Sequence, residues 1–334
     1  MRSFFDPRQL AHSPEVELHN GAFQPHAEHG GRVRSIASAL GRTEEPADHG
    51  EAPLLRVHSP AYLDFLKSAW REWRAAGRPG DAAAYAWPVV RRRPIDLDRI
   101  DARLGRYSFD ASSPIAEATW DSAYWSAQTA LSALEAVLAG ERNAFALCRP
   151  PGHHCGADYL GGYCYLNNAA IAAEAALAAG RRRIAILDVD YHHGNGTQDV
   201  FYASGDVLFV SIHADPRTDY PYYWGHSDEA GEGEGEGSTL NLPLPRGAGR
   251  TDYEPALGRA LERIAAFAPD LLICSFGADT FGGDPICHFA LEGCDYPVLA
   301  RRIASLALPT LVVMEGGYAV DALGANVAAF LSGF

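Results

Sequence analysis

Five short, continuous runs of apolar residues recur from residue 143 onward, and each one is followed by a cluster of polar residues. The runs are NAFALC (143–148), RIAILDVD (183–190), DVLFVSIH (206–213), DLLICSFG (270–277) and PTLVVME (309–315). Continuous rather than alternating hydrophobicity is typical of strands in a parallel sheet that is covered on both faces. We therefore expect five buried strands in a mainly parallel sheet.

Helical segments between these runs indicate the fold class. Residues 119–138, 167–179, 251–268 and 296–306 resemble amphipathic or buried helices, and the first two begin at polar residues or proline and stop at a glycine. Alternating strands and helices predict one three-layer α/β/α domain over residues 1–334. Residues before about 115 lack this alternation, and we expect them to form peripheral helices and loops.

Composition excludes several classes of partner. Lys and Arg number 28 against 42 Asp and Glu, a net charge of −14 that repels phosphate backbones, so no nucleic-acid partner is expected. Asp6 and Pro7 interrupt the N-terminus before a signal-peptide core could form, and no apolar stretch reaches about 18 residues. We expect a cytoplasmic protein without a membrane partner. The six cysteines include no C-x-x-C pair, which favours free thiols.

The polar clusters lie where the predicted strands end. They are RPPGHH, DVDYHHGNG, SIHAD, GADT and EGGY. In an open α/β sheet, the carboxyl ends of the strands face one crevice, where ligands bind. By contrast, DEAGEGEGEGS (228–238) lacks the G-K-[ST] of a phosphate loop and predicts a flexible acidic loop.

Two of these clusters have the donor atoms of a metal site. Asp190 and His192 are two residues apart, so both side chains can point to the same side of an extended segment. Asp279, at another strand end, could complete the set. Two carboxylates and one imidazole with an open position are compatible with a catalytic zinc site, although iron and cobalt also suit such mixed ligands.

The adjacent histidines His153 and His154 are better placed for proton transfer than for ligating one ion. An imidazole titrates near neutral pH and needs a carboxylate or amide behind it to fix its tautomer; Asp188 and Asn195 are the candidates. Tyr318, which follows two glycines, could donate a hydrogen bond to a developing oxyanion. The remaining histidines, His19 among them, are interpreted as structural.

Several motifs together resemble the arginase/deacetylase superfamily. They are RPPGHH (149–154), GGYCYLNN (161–168), DVDYHHGNG (188–196), GADT (277–280) and EGGY (315–318). More narrowly, they are similar to its bacterial acetylpolyamine amidohydrolase branch, which is related to the class II histone deacetylases. The resemblance extends from VHSP (57–60) to the C-terminus and implies the three-layer fold of that superfamily.

The resemblance implies a role for each catalytic residue. The implied zinc ligands are Asp190, His192 and Asp279. His154 would be the general base, His153 its electrostatic or acid partner, and Tyr318 the group that polarises the scissile carbonyl.

The same resemblance also implies a potassium site and a substrate tunnel. The potassium residues would be Asp188, Asp190, His192 and Ser211. The tunnel residues would be Gly162, Tyr163 and Tyr220.

The chain departs from the polyamine branch in the loop that caps the tunnel. That branch is a homodimer and carries acidic residues there, which bind the distant ammonium across the dimer interface. An ungapped alignment places Asp101 and Ser112 at these positions, so one acid is shorter and the other is missing. Asp98, Asp110 or Glu117 could supply the missing carboxylate.

Four functions are therefore compared. The first is a zinc amidohydrolase that removes acetyl or another short acyl group from small amines such as acetylpolyamines, acetylputrescine or acetylcadaverine. The second is a deacetylase of acetyl-lysine side chains in proteins or peptides. A two-manganese ureohydrolase would need more carboxylates near Asp279, and a non-catalytic binding protein would not need the complete polar set.

Overall fold

The computed structural model describes residues 1–19, 21–88 and 97–334, and its main feature is a seven-stranded sheet. The strands of the described chain are β1 (Arg2–Phe4), β2 (Val16–His19), β3 (Ala22–Pro25), β4 (Asn143–Ala146), β5 (Ile184–Asp188), β6 (Val207–Ala214), β7 (Thr239–Leu244), β8 (Leu271–Phe276) and β9 (Thr310–Met314). The order in the sheet is β1-β4-β9-β8-β5-β6-β7, and every neighbouring pair is parallel. β2 and β3 form a separate antiparallel hairpin.

Helices cover both faces of this sheet. They are α1 (Gly31–Leu40), α2 (Pro60–Ala75), α3 (Ile100–Arg106), α4 (Thr119–Leu138), α5 (Asn168–Ala178), α6 (Asn195–Phe201), α7 (Arg250–Phe267), α8 (Tyr296–Ala304) and α9 (Val320–Leu331). Along β5, Ile184 and Ile186 join the core that contains α4 and α5, whereas Ala185 and Leu187 join the core that contains α7, α8 and α9. Successive side chains point to opposite faces of a strand, so a continuous apolar run serves both layers. The predicted α/β/α fold is confirmed.

All five predicted strands and all four predicted helices are present, with bounds that differ by at most a few residues. The two edge strands were not predicted. β1 has three residues, too few to show a pattern. β7 contains Pro243 and has partly exposed positions, as is typical of an edge strand. The expectation of a peripheral N-terminal region was wrong in part, because β1 joins the sheet beside β4 and α1 packs against α9.

The acidic loop is more ordered than its composition indicates. It contains a short 3-10 helix, Gly233–Gly235, and the Glu232 amide donates a hydrogen bond to the Tyr202 carbonyl. The Glu229 carboxylate accepts hydrogen bonds from Gln198 Nε2 and from the Gly225 amide, at 2.6 and 2.9 Å. Specific polar contacts therefore fix a segment whose glycines predicted flexibility.

None of the described helices combines the length and the apolar character needed to span a bilayer. All six cysteines are free, as expected, and only Cys294 is exposed.

A buried ion network connects the N-terminal region to the sheet. Glu28 Oε1 accepts hydrogen bonds from Arg149 Nε at 2.9 Å and from Arg32 at 2.7 Å, and all three side chains are inaccessible to solvent or nearly so. Burial alone would raise the pKa of Glu28, but the two arginines outweigh burial and lower that pKa to about 2. One carboxylate thus compensates two buried cations.

We predict that Glu28→Gln lowers the free energy of unfolding by about 3–5 kcal/mol, because it leaves two buried guanidinium groups without their counter-charge. Since the folded pKa of Glu28 lies below its usual value, this stabilisation is present above about pH 4.5 and is lost as the pH falls towards about 2. Urea unfolding at several pH values measures this free energy. The matched control is Glu254→Gln, which removes an exposed pair with Arg250 and should cost at most about 1 kcal/mol. Equal losses in both variants would contradict the prediction.

Candidate active site

Two carboxylates and one imidazole converge at the carboxyl ends of two adjacent strands. Asp190 and His192 follow β5, Asp279 follows β8, and these strands are paired in register. His192 Nδ1 lies 3.3 Å from Asp190 Oδ1 and 3.2 Å from Asp279 Oδ2. Both carboxylates are fully buried, whereas the His192 side chain retains 14% exposure. The parallel sheet therefore brings together the three groups that the sequence singled out.

The surroundings of these carboxylates fit a bound divalent cation. Asp279 Oδ2 is buried without a hydrogen-bond partner among the described residues. Burial, and next the charge of Asp190, raise the pKa of Asp279 to about 7. A Cβ atom at Gly277 would lie 2.0 Å from Asp190 Oδ2, and one at Gly316 would lie 2.4 Å from Asp279 Oδ2. A cation between the carboxylates would relieve their repulsion, and two carboxylates with one imidazole are a donor set that zinc accepts.

A cysteine faces the other nitrogen of His192. Cys287 Sγ lies 3.9 Å from His192 Nε2, and Cys287, His192 and Asp279 form one group of candidate metal-binding atoms. A second such group is His153, Cys164 and Glu315, all buried. No spacing pattern in the sequence singled out Cys287.

The adjacent histidines are held by different partners. His153 Nδ1 donates to Asp188 Oδ2 at 3.0 Å, and His154 Nδ1 donates to Asn195 Oδ1 at 2.7 Å. Burial opposes protonation of His153, but Asp188 and Asp190 outweigh it and raise its pKa to about 10. Burial and the charges of His153 and His192 hold the pKa of His154 well below its usual value. At neutral pH, one imidazole is therefore cationic and its neighbour is a neutral base.

Tyr318 lies beside these groups on the loop that joins β9 to α9. Its hydroxyl remains protonated, because burial raises its pKa well above the usual value. Arg32 binds two carbonyls of this loop, with Nε 2.6 Å from Gly317 O and a terminal nitrogen 2.6 Å from Glu315 O. The Glu315 carboxylate accepts the amides of Gly152 and His153, at 2.7 and 3.2 Å. Hydrogen bonds to the Glu315 carboxylate thus connect the loop that carries Tyr318 to the loop that carries His153 and His154.

A cavity of about 220 Å³ gives access to the site. Its described lining residues are Leu18, His19, Asp110, Ala111, Ser112, His154, Gly162, Tyr163, His192, Tyr220, Tyr222, Ile286 and Tyr318. The ring of Tyr220 lies 5.1 Å from that of His154, and the ring of Tyr163 lies 5.7 Å from that of Tyr318. Aromatic side chains therefore form part of the cavity lining, together with the candidate residues His154, His192 and Tyr318.

Asp101 and Ser112, the two positions aligned with the acids of the capping loop, lie in different surroundings. Ser112 lines the cavity, but Asp101 does not; it lies in α3 and pairs with Arg78 at 2.8 Å and Arg99 at 2.7 Å. Among the described lining residues the acid is Asp110, whose Oδ2 accepts the Tyr220 hydroxyl at 2.7 Å. Residues 89–96, within the loop region that would separate small-amine from protein substrates, lie outside the described residues.

The β2–β3 hairpin supplies cavity residues that sequence reasoning missed. Leu18 and His19 line the cavity, although His19 was interpreted as structural. The Tyr163 hydroxyl donates to Glu17 Oε1 at 3.1 Å, so the hairpin also holds a tunnel wall. No strand-end motif marks this hairpin, because its contact with residue 163 is made only in the folded chain.

Two of the four potassium residues predicted by resemblance lie on neighbouring strands, and Asp190 and His192 follow the first of these strands. Asp188 of β5 and Ser211 of β6 are register partners, and both are fully buried. Ser211 Oγ lies 2.8 Å from His213 Nδ1. His193 packs against His213 at 4.6 Å between ring centroids and reaches Asn241 Oδ1 at 3.1 Å.

Comparison with known proteins gives consistent matches over the whole chain. Residues 26–334 match the histone deacetylase domain family. The chain is 50% identical to acetylpolyamine amidohydrolase 1 of Pseudomonas aeruginosa, over 100% of this chain and 99% of that protein. It is 44% identical to acetylpolyamine amidohydrolase of Mycoplana ramosa, over 100% and 99%. The crystal structure of acetylpolyamine aminohydrolase from Burkholderia pseudomallei superimposes with a TM-score of 0.96 at 43% identity, covering 100% and 98%.

We predict that Asp279→Asn removes tight binding of a divalent cation, because an amide cannot replace the carboxylate charge that the cation would neutralise. Metal content after dialysis against zinc measures this, with a single ion per chain expected for the unsubstituted protein. Asp270→Asn is the control, since Asp270, which lies just before β8, binds the backbone amides of Arg182 and Arg183 just before β5. If Asp279→Asn retained as much zinc as the control, Asp279 would not be a metal ligand.

Proposed function

Because the chain belongs to the histone deacetylase domain family and is therefore an amide hydrolase of the deacetylase type, we propose that it removes acetyl, or another short acyl group, from small acylated amines by zinc-dependent hydrolysis. The proposed substrates are acetylpolyamines, acetylputrescine and acetylcadaverine. The observation that carries the proposal is the convergence of Asp190, His192 and Asp279 with the His153–His154 pair beside a cavity that is lined in part by aromatic side chains.

Asp190, His192 and Asp279 would hold the zinc ion. When bound, it would supply Lewis-acid polarisation of the substrate carbonyl and activation of water. The family match also favours this reading over a two-manganese ureohydrolase or a non-catalytic binding protein. A potassium ion held near Asp188 and Ser211 is part of the proposal, as a structural ion.

The protein groups divide the proton transfers between them. Asn195 occupies Nδ1 of His154, so Nε2 is the nitrogen that takes the proton from the attacking water as its oxygen bonds to the acyl carbon. The Tyr318 hydroxyl donates a hydrogen bond to the developing oxyanion, and protonated His153 adds a positive charge beside it. The C–N bond then breaks as His154 returns this proton to the nitrogen, and the hydroxyl proton of the resulting acid passes to the free amine, so that acetate and a protonated amine leave.

Asp110 is the proposed binding group for the distant ammonium of the substrate. It is the acidic residue among the described lining of the cavity. Its carboxylate accepts the Gly162 amide at 2.9 Å and the Tyr220 hydroxyl at 2.7 Å, so neutral donors fix its position. The net charge of −14 also favours cationic ligands.

The alternative is a deacetylase of acetyl-lysine side chains, whose four-carbon stem would fit the same aromatic walls. Against it, the cavity lining includes the Asp110 carboxylate, which suits a small substrate that carries a second, distant ammonium. We propose a single domain whose residues 1–115 cap the site. The homodimer and the cytoplasmic location stay predictions.

We predict that kcat/KM for acetylputrescine, acetylcadaverine or an acetylspermidine exceeds that for acetyl-lysine peptides by at least about tenfold, which corresponds to about 1.4 kcal/mol of differential transition-state binding. Steady-state assays on a panel with acetyl and longer acyl groups measure this ratio. A higher value for the peptides would favour the alternative, and a zinc-loaded protein that hydrolyses no member of the panel would refute the proposal.

We also predict that Asp110→Asn raises KM for acetylputrescine about three- to tenfold, the order expected for one partly exposed charge pair. Asparagine can still accept the Tyr220 hydroxyl, so the wall should stay in place. N-acetylbutylamine, which has the same length and no ammonium, is the matched substrate control and should show an unchanged KM. Equal increases for both substrates would mean that the substitution disturbs the cavity rather than a cation site.

A further inference from the structure

The loop that carries Tyr318 is held by two charged side chains from opposite directions. Arg32 binds its carbonyls at Glu315 and Gly317. Asp284 binds the amides that follow: its Oδ2 accepts Tyr318 N at 2.7 Å and Ala319 N at 3.2 Å. The two groups together restrain the backbone on both sides of the catalytic tyrosine.

These restraints are needed because the loop cannot be stiffened by its own sequence. A Cβ at Gly316 would collide with the carboxylates of Asp279 and Asp190, and Gly317 has φ +124°, which side chains rarely adopt. Both positions therefore require glycine, the residue with the largest backbone freedom. The position of the Tyr318 hydroxyl must then depend on contacts made from outside the loop.

Asp284 also occupies the start of α9. The cap residue of this helix is Ala319, which has no side chain that could accept the first amides. A carboxylate at a helix N-terminus satisfies such amides and interacts favourably with the helix dipole. Asp284 supplies a carboxylate there from another segment and binds the amides of the cap residue Ala319 and of Tyr318 before it. It is 8% exposed, and its second oxygen lies 3.1 Å from the Ile286 amide.

The position of Asp284 in the chain connects the metal site to the tyrosine. Asp279 and Asp284 belong to the same connection after β8, five residues apart. One short segment thus carries a candidate metal ligand at one end and the acceptor of the Tyr318 amide at the other. It therefore determines the separation between the metal site and the hydroxyl donor.

We propose that Asp284 is a positioning residue for Tyr318, which places the hydroxyl where the oxyanion forms by binding the Tyr318 and Ala319 amides. The inference rests on the role proposed above for Tyr318. Asp284 does not touch the substrate; it acts through the tyrosine.

The test is a double-mutant cycle between Asp284→Ala and Tyr318→Phe, with the best substrate of the panel. Asp284→Ala should lower kcat by about 10- to 100-fold, because a displacement near 1 Å can cost about 10² in rate, with KM changed less than about threefold. Tyr318→Phe should lower kcat by about 10²–10³. In the Tyr318→Phe protein, Asp284→Ala should lower kcat by less than about twofold.

Two variants control for a merely structural effect. Asp284→Asn keeps one acceptor oxygen and should recover at least about a third of the kcat lost in Asp284→Ala. Asp270→Ala removes the same kind of contact elsewhere, since Asp270 Oδ2 accepts two successive amides, Arg182 N at 2.7 Å and Arg183 N at 3.1 Å. It should change kcat less than about twofold. Zinc content should be equal in all variants.

The same fall in kcat from Asp284→Ala with and without the Tyr318 hydroxyl would overturn the proposal, as would loss of zinc from the variant. If Asp284→Ala does not fold, the cycle is run with Asp284→Asn, and the same criterion applies. If the unsubstituted protein hydrolyses no acyl-amine, the proposed function fails. Crystal structures of the zinc-loaded protein and variant then decide the inference separately, and a Tyr318 phenol displaced by less than about 0.5 Å, the usual tolerance of a catalytic geometry, would refute it.

Discussion

Two buried carboxylates of like charge lie side by side at the carboxyl ends of β5 and β8, and most features of the site follow from this unfavourable arrangement. Asp190 and Asp279 are both inaccessible to solvent. Backbone amides stabilise them: His192 N and Gly316 N donate to Asp190, and Tyr191 N donates to Asp279. The glycines at 277 and 316 are required by the same crowding. Asp279 Oδ2 still accepts no hydrogen bond in the described chain, which is the electrostatic reason to expect a cation there.

The histidine pair shows how partners, rather than residue type, determine proton affinity. His153 and His154 are adjacent, equally buried and 4.1 Å apart between ring centroids. A carboxylate behind His153 raises its pKa, whereas a neutral amide behind His154 leaves desolvation and the neighbouring charge of His153 to lower its pKa. A charged group and a neutral base can therefore coexist within one small volume, as acid–base catalysis of amide hydrolysis requires.

The N-terminal region contacts the candidate active site, although it lies outside the alternation of strands and helices. Arg32 binds the Tyr318 loop, and Glu28 connects Arg32 to Arg149 at the start of the histidine loop. The β2–β3 hairpin binds the Tyr163 hydroxyl through Glu17 and contributes Leu18 and His19 to the cavity lining. Changes in this region should therefore affect both stability and the geometry of the site.

The sequence by itself determined the parallel sheet, because buried strands must be apolar at every position, and it determined the groups at the strand ends, because parallel strands bring those ends to one edge. It also identified Asp188 and Asn195 as partners of the histidines. It could not show that Asp101 is paired with arginines away from the cavity while Asp110 lies on its wall. Nor could it reveal Glu28, Asp284 or the hairpin. Only the tertiary structure decided these, because each depends on contacts between distant segments or on the direction of one side chain, and neither leaves a periodic pattern in the chain.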